Sequence, residues 1–315
     1  MKRVFIIPII IGGILLVAGS VVFGLAIANR SQTEAVINEH PITEDFNGFN
    51  IKTSTANIVF EVSNDGSKKV VCNETTKEYH TVNVVDNVLT VDYVDELKWY
   101  ERIFNFDFSK RQITFYLPIE AYGDLIIKSS TGDIKIPETY SFTSMDVSLS
   151  TGDVNVKSNV TGLTKIKTST GDITLSDLNT NSLELEASTG KVSLTNVNVQ
   201  EEVQVKVSTG RVNTDNLKAK NLTIETSTGA VTLKDTVIEE HIGVNTDTGD
   251  VIFEKSDATT LNVKTHTGDV KGSLLTKKIC YPTSHTGRIK VPESSEGGIF
   301  RIETDTGDIN ITYLG

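Results

Sequence analysis

From Leu125 to the C-terminus, apolar and polar residues alternate in short bursts, and each burst is interrupted by a glycine. Positions seven and five before that glycine are mostly apolar, as in Leu125 and Ile127, Leu183 and Leu185, Leu222 and Ile224, or Phe300 and Ile302. Positions two and four after it are apolar again, as in Ile134 and Ile136, Val192 and Leu194, or Val251 and Phe253. Period-two alternation on both sides of a break predicts two strands meeting at a corner. A weaker apolar position, seven or eight residues after the glycine, falls at Val160, Leu178, Val197, Leu217 and Val237 and predicts a shorter third side.

The corner glycines are Gly132, Gly152, Gly171, Gly190, Gly210, Gly229, Gly249, Gly268, Gly287 and Gly307, and their spacing is nearly constant. Self-similarity at a fixed period of this length marks a solenoid. The predicted fold is all-β: a single-stranded parallel β-helix of about ten 19–20-residue coils with an N-terminal β-hairpin cap, preceded by one transmembrane helix. One coil cannot bury its apolar side, but a stack shares a continuous core. At ~4.8 Å per coil, ten coils make a rod about 45–50 Å long.

The corner tetrad first occurs as Ser130-Thr131-Gly132-Asp133, and threonine precedes the glycine in all ten units. The β-branch of Thr131 and its equivalents suits a strand end, and the hydroxyl is expected to bond the neighbouring coil or the turn backbone. Glycine fits a positive φ or a close backbone approach. Aspartate tolerates turns and accepts local N–H groups. These corner residues therefore explain themselves without a ligand.

Upstream, Phe49 to Phe60 repeats the pattern with Ala56 at the glycine position and reads as an imperfect first coil. Val82–Val85 and Val88–Val91 flank Asp86-Asn87, a hairpin signal. Leu97 to Phe108 is aromatic and charged, suited to a loop or short helix over the first coil, and Gln112 to Pro118 alternates as a strand. Solenoid ends need atypical caps, and this region supplies one. Before it, Lys2 and Arg3 precede an apolar run from Val4 to Ala28. As a helix that run reaches roughly 37 Å, enough to span a bilayer. Ala26-Ile27-Ala28 resembles a cleavage site, but the run exceeds a signal peptide's apolar core, so a retained signal-anchor is the preferred reading. The basic N-terminus places residues 1–28 as a single pass with the N-terminus cytoplasmic and the C-terminal domain extracytoplasmic, in the cell membrane. The expected organisation is a transmembrane segment 1–28, a polar stalk 29–45, a cap with the first coil 46–120, and the regular β-helix 121–315.

Composition narrows the function. The net charge of -11 argues against nucleic acid and against close contact with polyanionic polymers. Cys72 and Cys280 lie far apart in the chain and read as isolated buried thiols, and no C-x-x-C or Cys/His cluster suggests zinc. No cofactor is expected.

Candidate chemistry lies where the tetrad varies. Asp247, His266, His285 and Asp305 stand two residues before consecutive glycines and could hold a transition metal, although a solvated ladder is the simpler reading. Asp247-Thr248-Gly249 and Asp305-Thr306-Gly307 spell an aspartic-protease triplet, but that chemistry needs adjacent carboxylates. Placed three coils apart, theirs would be roughly 14 Å from each other. Asp133, Asp153 and Asp172 form a second ladder where calcium is conceivable, without the glycine-rich nonapeptide of calcium-binding rolls. Lys191, Arg211 and Arg288 replace the aspartate elsewhere. No residue is expected to be catalytic. No carboxylate pair with a basic neighbour breaks the repeat, so a carbohydrate-active enzyme is a distant alternative.

The N-terminal apolar segment, Ile113-Thr114-Phe115-Tyr116-Leu117-Pro118 leading into Leu125-Ile126-Ile127-Lys128-Ser129-Ser130-Thr131-Gly132-Asp133-Ile134, and the following ladder resemble the LiaG-like "putative adhesin" family of bacterial envelope proteins, over roughly residues 45 to 315. The resemblance implies a membrane-tethered extracytoplasmic β-helix linked to envelope stress signalling. It carries over no catalytic or binding residue. The resulting expectation is a non-catalytic envelope protein for adhesion, scaffolding or binding of envelope components. The alternative is an accessory part of a stress-sensing system acting through a membrane protein. Expected partners are the membrane through residues 4–28, an envelope protein or wall polymer, and a second copy through an open C-terminal coil.

Overall fold

The computed structural model describes residues 34–99 and 111–315. The apolar run 4–28, the first part of the stalk and most of the aromatic stretch Leu97–Phe108 lie outside the described residues. Among those described, no helix is long and apolar enough to cross a membrane.

The repeat folds as a parallel β-solenoid. Each regular coil begins with a long strand before the glycine, such as Ser141–Thr151, and turns into a shorter one after it, such as Val154–Val156. Equivalent residues stack in register, so that Leu183, Val203, Leu222, Ile242 and Leu261 form one interior row. Ile134, Val154, Ile173, Val192, Val212 and Val231 form another, and all are buried. Burying one such side chain stabilises the fold by about 1.5–3 kcal/mol, and the rows run the length of the rod.

The third side exists, and a second corner that the apolar pattern did not reveal makes it. Six residues after the glycine, Asp177, Asn196, Asn216, Asp235 and Lys255 adopt φ between 44° and 57°. Asparagine and aspartate tolerate this left-handed region best among residues with a side chain. The turn aims the next residue inward, which buries Leu178, Val197 and Leu217. In the coil of Asp235 the inward residues are instead Thr236 and Ile238, and Val237 is 42 % exposed, contrary to expectation. Thr236 stays satisfied in the core through the Thr214 hydroxyl at 2.7 Å and the Lys234 carbonyl at 3.0 Å.

At the glycine corner both expected reasons for glycine hold. Gly229 has φ 148°, and a Cβ there would stand 1.7 Å from the carbonyl oxygen of Gly210. The threonine before it behaves otherwise than expected: Thr131 and its equivalents are exposed. Two residues earlier the side chains point inward, and there Thr265 donates to the Gly249 carbonyl at 3.3 Å and Thr304 to that of Gly268 at 3.1 Å, whereas the hydroxyls of Thr168, Thr226 and Thr246 find no partner among the described residues.

Toward the N-terminus the stack turns antiparallel. Gly48–Thr55 and Asn57–Val62 form the first coil, with Ala56 at the glycine position. Beyond the first coil, Val88–Asp95 extends one sheet and Gln112–Leu117 the other. Glu78–Val85 then pairs antiparallel with Val88–Asp95 around Asp86 (φ 49°) and Asn87 (φ 64°), the predicted hairpin. Lys68–Thr75 pairs antiparallel with Gln112–Leu117 and with Ala35–Ile42. The segment read as a stalk, 29–45, thus contributes an edge strand, because Val36, Asn38 and His40 turn toward the interior in alternation. Phe46, Phe49, Phe60, Phe115, Tyr122, Tyr140 and Phe142 fill this end, with Phe60 stacked on Phe115 at 4.8 Å.

The C-terminal end departs from chain order. Gly298–Thr306, of the tenth unit, lies between Thr260–Thr267 of the eighth and Lys278–Thr286 of the ninth. Ile309–Tyr313 lies likewise between Val270–Leu274 and Ile289–Lys290. The open layer is therefore the ninth unit, and the expected exposed edge at Ile309–Leu314 is corrected. Side-chain polarity explains the order. The tenth unit offers buried Phe300, Ile302, Ile309 and Ile311 to the core, whereas the ninth offers Cys280, Pro282 and Ser284 and leaves Ile289 47 % exposed. Cys280 is accordingly half-buried, not enclosed, and both cysteines are free thiols.

Replacing Gly229 with alanine is expected to lower unfolding free energy by about 3 kcal/mol or more in urea titrations, since both φ and the Gly210 carbonyl oppose a Cβ. Ala56→Gly, at the one corner already built with a Cβ, should shift stability by about 1 kcal/mol or less.

Candidate functional site

Three sets of polar side chains stand out: the corner ladders, the long-strand face, and a buried cluster in the cap.

The aspartates after the glycine are structural. The Asp133 carboxylate accepts the backbone N–H of Asp153 at 2.9 Å, Asp153 that of Asp172 at 2.7 Å, and Asp172 that of Lys191 at 2.7 Å. The column resumes from Asp250 through Asp269 to Asp308. It ends where the N–H and guanidinium of Arg288 both reach Asp308, at 2.8 and 3.2 Å. The Arg288 N–H, followed by its guanidinium charge, holds the Asp308 carboxyl below the usual carboxylate range. Lys191 and Arg288 fit because their positions need a backbone donor, not a carboxylate.

The swapped units reorder the second ladder to Asp247, His266, Asp305, His285. His266 Nδ1 lies 3.4 Å from Asp247 and His285 Nδ1 lies 3.0 Å from Asp305, all four side chains being exposed. Such exposed pairs contribute at most about 1 kcal/mol each. Asp247 and Asp305 are two coils apart, not three, with His266 between them, so no carboxylate dyad forms.

On the long-strand face, outward charges pair between neighbouring coils: Lys165 with Glu184 at 2.7 Å, Lys206 with Glu225 at 3.2 Å, and Lys264 with Glu303 at 2.9 Å. The face is a broad, flat sheet of matched charge.

The cap cluster is what the sequence reading missed. Cys72, Glu74 and His80 are buried with their ligand-type atoms within 4.8 Å of one another, so Cys72 is not the isolated thiol that the sequence suggests. Cys72 and Glu74 alternate onto the inner side of one sheet, and the chain then crosses at Thr76 and Lys77 to bring His80 in from the other. Glu74 can only accept, so His80 Nδ1 donates to it at 2.9 Å, beside the His80 backbone N–H at 2.8 Å. Asn38 donates to the second carboxylate oxygen, and His80 Nε2 meets the Thr53 hydroxyl of the first coil at 2.8 Å. Nearby, Arg111 grips Glu78 through two bonds of 2.8 and 2.6 Å, and Tyr93 donates to the same carboxylate. Sulfur, nitrogen and oxygen donors suit zinc by type. Here, however, both Glu74 oxygens and both His80 nitrogens already have protein partners, so the arrangement works as a closed hydrogen-bonded plug. Burial, reinforced by the Glu74 charge, pushes the Cys72 thiol up to about 12. The sequence signal was the spacing of Cys72 and Glu74 at i and i+2, meaningful only once the sheet crossing is known.

Breaking this plug with His80→Ala should cost about 1–3 kcal/mol, read by urea unfolding, because it removes one of three groups bonded to the buried Glu74 carboxylate and leaves the Thr53 hydroxyl without its partner. Iodoacetamide at pH 8 should leave Cys72 unmodified until the cap unfolds, since the thiolate is the reactive form; mass spectrometry of the folded and urea-treated chain checks this.

No curated protein matches the chain. Among solved structures, a "putative lipid binding protein" from Parabacteroides distasonis shares 14% identity, covering 89% of this chain and 98% of that one at a TM-score of 0.50. A "putative adhesin" from the same organism shares 13% identity over 89% and 98%, at 0.48. Another from Bacteroides fragilis shares 16% over 90% and 99%, at 0.41. At these identities the first likeness speaks for the fold alone. The profile of the Toastrack family (DUF4097) matches twice, over residues 46–204 and again over 198–314, meeting in mid-stack where coil follows coil without a break. Covering all of the cap but its edge strand Ala35–Ile42, the first coil and the whole ladder, these matches make the chain a member of the Toastrack family.

Proposed function

We propose that the protein is a LiaG-like, membrane-anchored, extracytoplasmic scaffold that binds envelope components without catalysing a reaction. The observation that carries this reading is the long-strand face, a flat parallel sheet with its charges paired between coils. Such a face offers a large preformed surface at little cost in ordering, as other stacked-repeat proteins do. The placement of the ends supports it. The apolar run 4–28 precedes the strand Ala35–Ile42, which belongs to the cap. Anchored there, the solenoid carries its coils away from the bilayer and the ninth-unit layer farthest out. Thirteen strands stack along the long-strand face from Glu78–Val85 to Lys278–Thr286, so at ~4.8 Å per strand the tip stands roughly 60 Å from the cap edge. The matched "lipid binding" description agrees with a binding role.

Fractionation tests the reading directly. The chain should stay in the membrane pellet after an alkaline carbonate wash, and protease added outside intact spheroplasts should degrade the region from the cap to Gly315. Release by carbonate, or protection from the protease until the cells are lysed, would refute it.

A further inference from the structure

One part of the long-strand face differs from the rest. The outward row six residues before the corner runs in space through Gln204, Thr223, Gly243, Asn262, Arg301 and Tyr281. At Gly243 the row has no side chain, and a Cβ added there would meet His241 Nε2 at 3.1 Å. The missing side chain leaves an open trough of about 550 Å³ whose lining includes Glu225, Asn245, Asn262, Tyr281, Arg301 and Glu303. It crosses five neighbouring strands, a span of about 19 Å.

The chemistry of the lining is selective. Tyr281 closes the outer end and is 57 % exposed, an unusual position for a large ring on this face. The Arg301 guanidinium sits 6.0 Å from its centroid, which steadies the ring through a cation–π contact. Two of the charge pairs along the trough are matched, Lys206 with Glu225 and Lys264 with Glu303, while Arg301 meets the Tyr281 ring and pairs with no carboxylate among the described residues. Between them the exposed amides of Asn245 and Asn262 lie on adjacent strands and bond no side chain among the described residues. Each amide offers two donors and an acceptor.

We infer that this trough binds an uncharged pyranose chain, with a sugar ring seated on Tyr281 and hydroxyl groups held by Asn245, Asn262 and Arg301. A pyranose presents C–H groups on its faces and donor–acceptor hydroxyls around its rim, matching a ring beside amides. A phosphate polymer would want several unpaired cations, whereas here Arg301 is a single one beside Glu225 and Glu303, and the lysines are engaged. An acyl chain would want a contiguous apolar lining, whereas the outward row is amide, hydroxyl and guanidinium. The inference rests on the rod being an external binding surface and adds the ligand class and its seat.

The test is calorimetric titration of the full-length protein in detergent with chitohexaose and cellohexaose. Poly(glycerol phosphate) and soluble dihexanoyl phosphatidylcholine serve as the anionic and lipid arms. At least one neutral hexasaccharide should bind saturably. Tyr281→Ala, which removes the aromatic anchor, and Gly243→Gln, which fills the trough, should each weaken binding by roughly tenfold or more. Gln204→Ala, on the strand next to the trough but outside its lining, should bind as the parent does, and matching thermal melts should show all three variants folded. Absence of binding by both hexasaccharides, parental affinity in both trough variants, or binding of only the phosphate polymer or the lipid overturns the inference. If the cells' outer surface displays the protein and no sugar binds, the sugar assignment alone falls. Protection from external protease brings down the display reading beneath it.

Discussion

At one corner of every regular coil, backbone rests on backbone. The carbonyl oxygen of Gly210 occupies the space where a Cβ of Gly229 would be, and the same holds from Gly132 to Gly307. This contact fixes how closely successive coils approach and in what register, because a shift by one residue would put a Cβ in that space. Once register is fixed, the remaining order follows from period two. Aliphatic rows meet in the interior, lysines meet glutamates outside, and each corner carboxylate finds the next coil's N–H. Interior rows supply the larger share of stability, yet any aliphatic residue could supply it. The glycine column is what makes these coils stack in one way only.

That column is also why so much of the architecture was legible. A glycine recurring once per coil, with apolar residues at fixed offsets, leaves few alternatives to a stack, and the Asp86-Asn87 hairpin obeyed its local turn chemistry. The Asx corner could have been found the same way, since Asp177, Asn196, Asn216 and Asp235 all stand six residues after a glycine. Its signal is backbone conformation, not hydrophobicity, and an apolar alignment passes over it. Counting offsets without that corner is what misplaced Val237. The Cys72–Glu74–His80 plug was beyond reach for a different reason. Its members face each other across two sheets, and nothing in local spacing reports which sheet a strand joins.

The two ends solve one problem differently. A stack of parallel strands stops with unpaired backbone and an open core, both liabilities in water. At the cap, strands reverse direction, aromatic rings fill the widening core, and Glu74, Glu78, His80 and Arg111 satisfy one another beneath it. At the other end the described residues form no separate cap. Its most polar unit is placed outermost, with Pro282 removing one N–H from the exposed edge strand. The cap is specialised sequence, whereas the tip is a weakened repeat.

Threading the tenth unit beneath the ninth has a consequence for how the molecule is made. From the second regular coil to the eighth, each docks on the neighbour finished just before it, so assembly there can follow synthesis coil by coil. Near the tip the partners are about twice as far apart in sequence, as in Lys264 with Glu303 and Thr312 with Gly272. The ninth unit has no final seat until the tenth has been made, because the tenth is its neighbour in the stack. A growing or truncated chain would have only the eighth unit's surface to offer it, which belongs to the tenth. Completion of the tip is thereby coupled to synthesis of the tenth unit, and the outermost layer is a feature that only molecules carrying that unit can display.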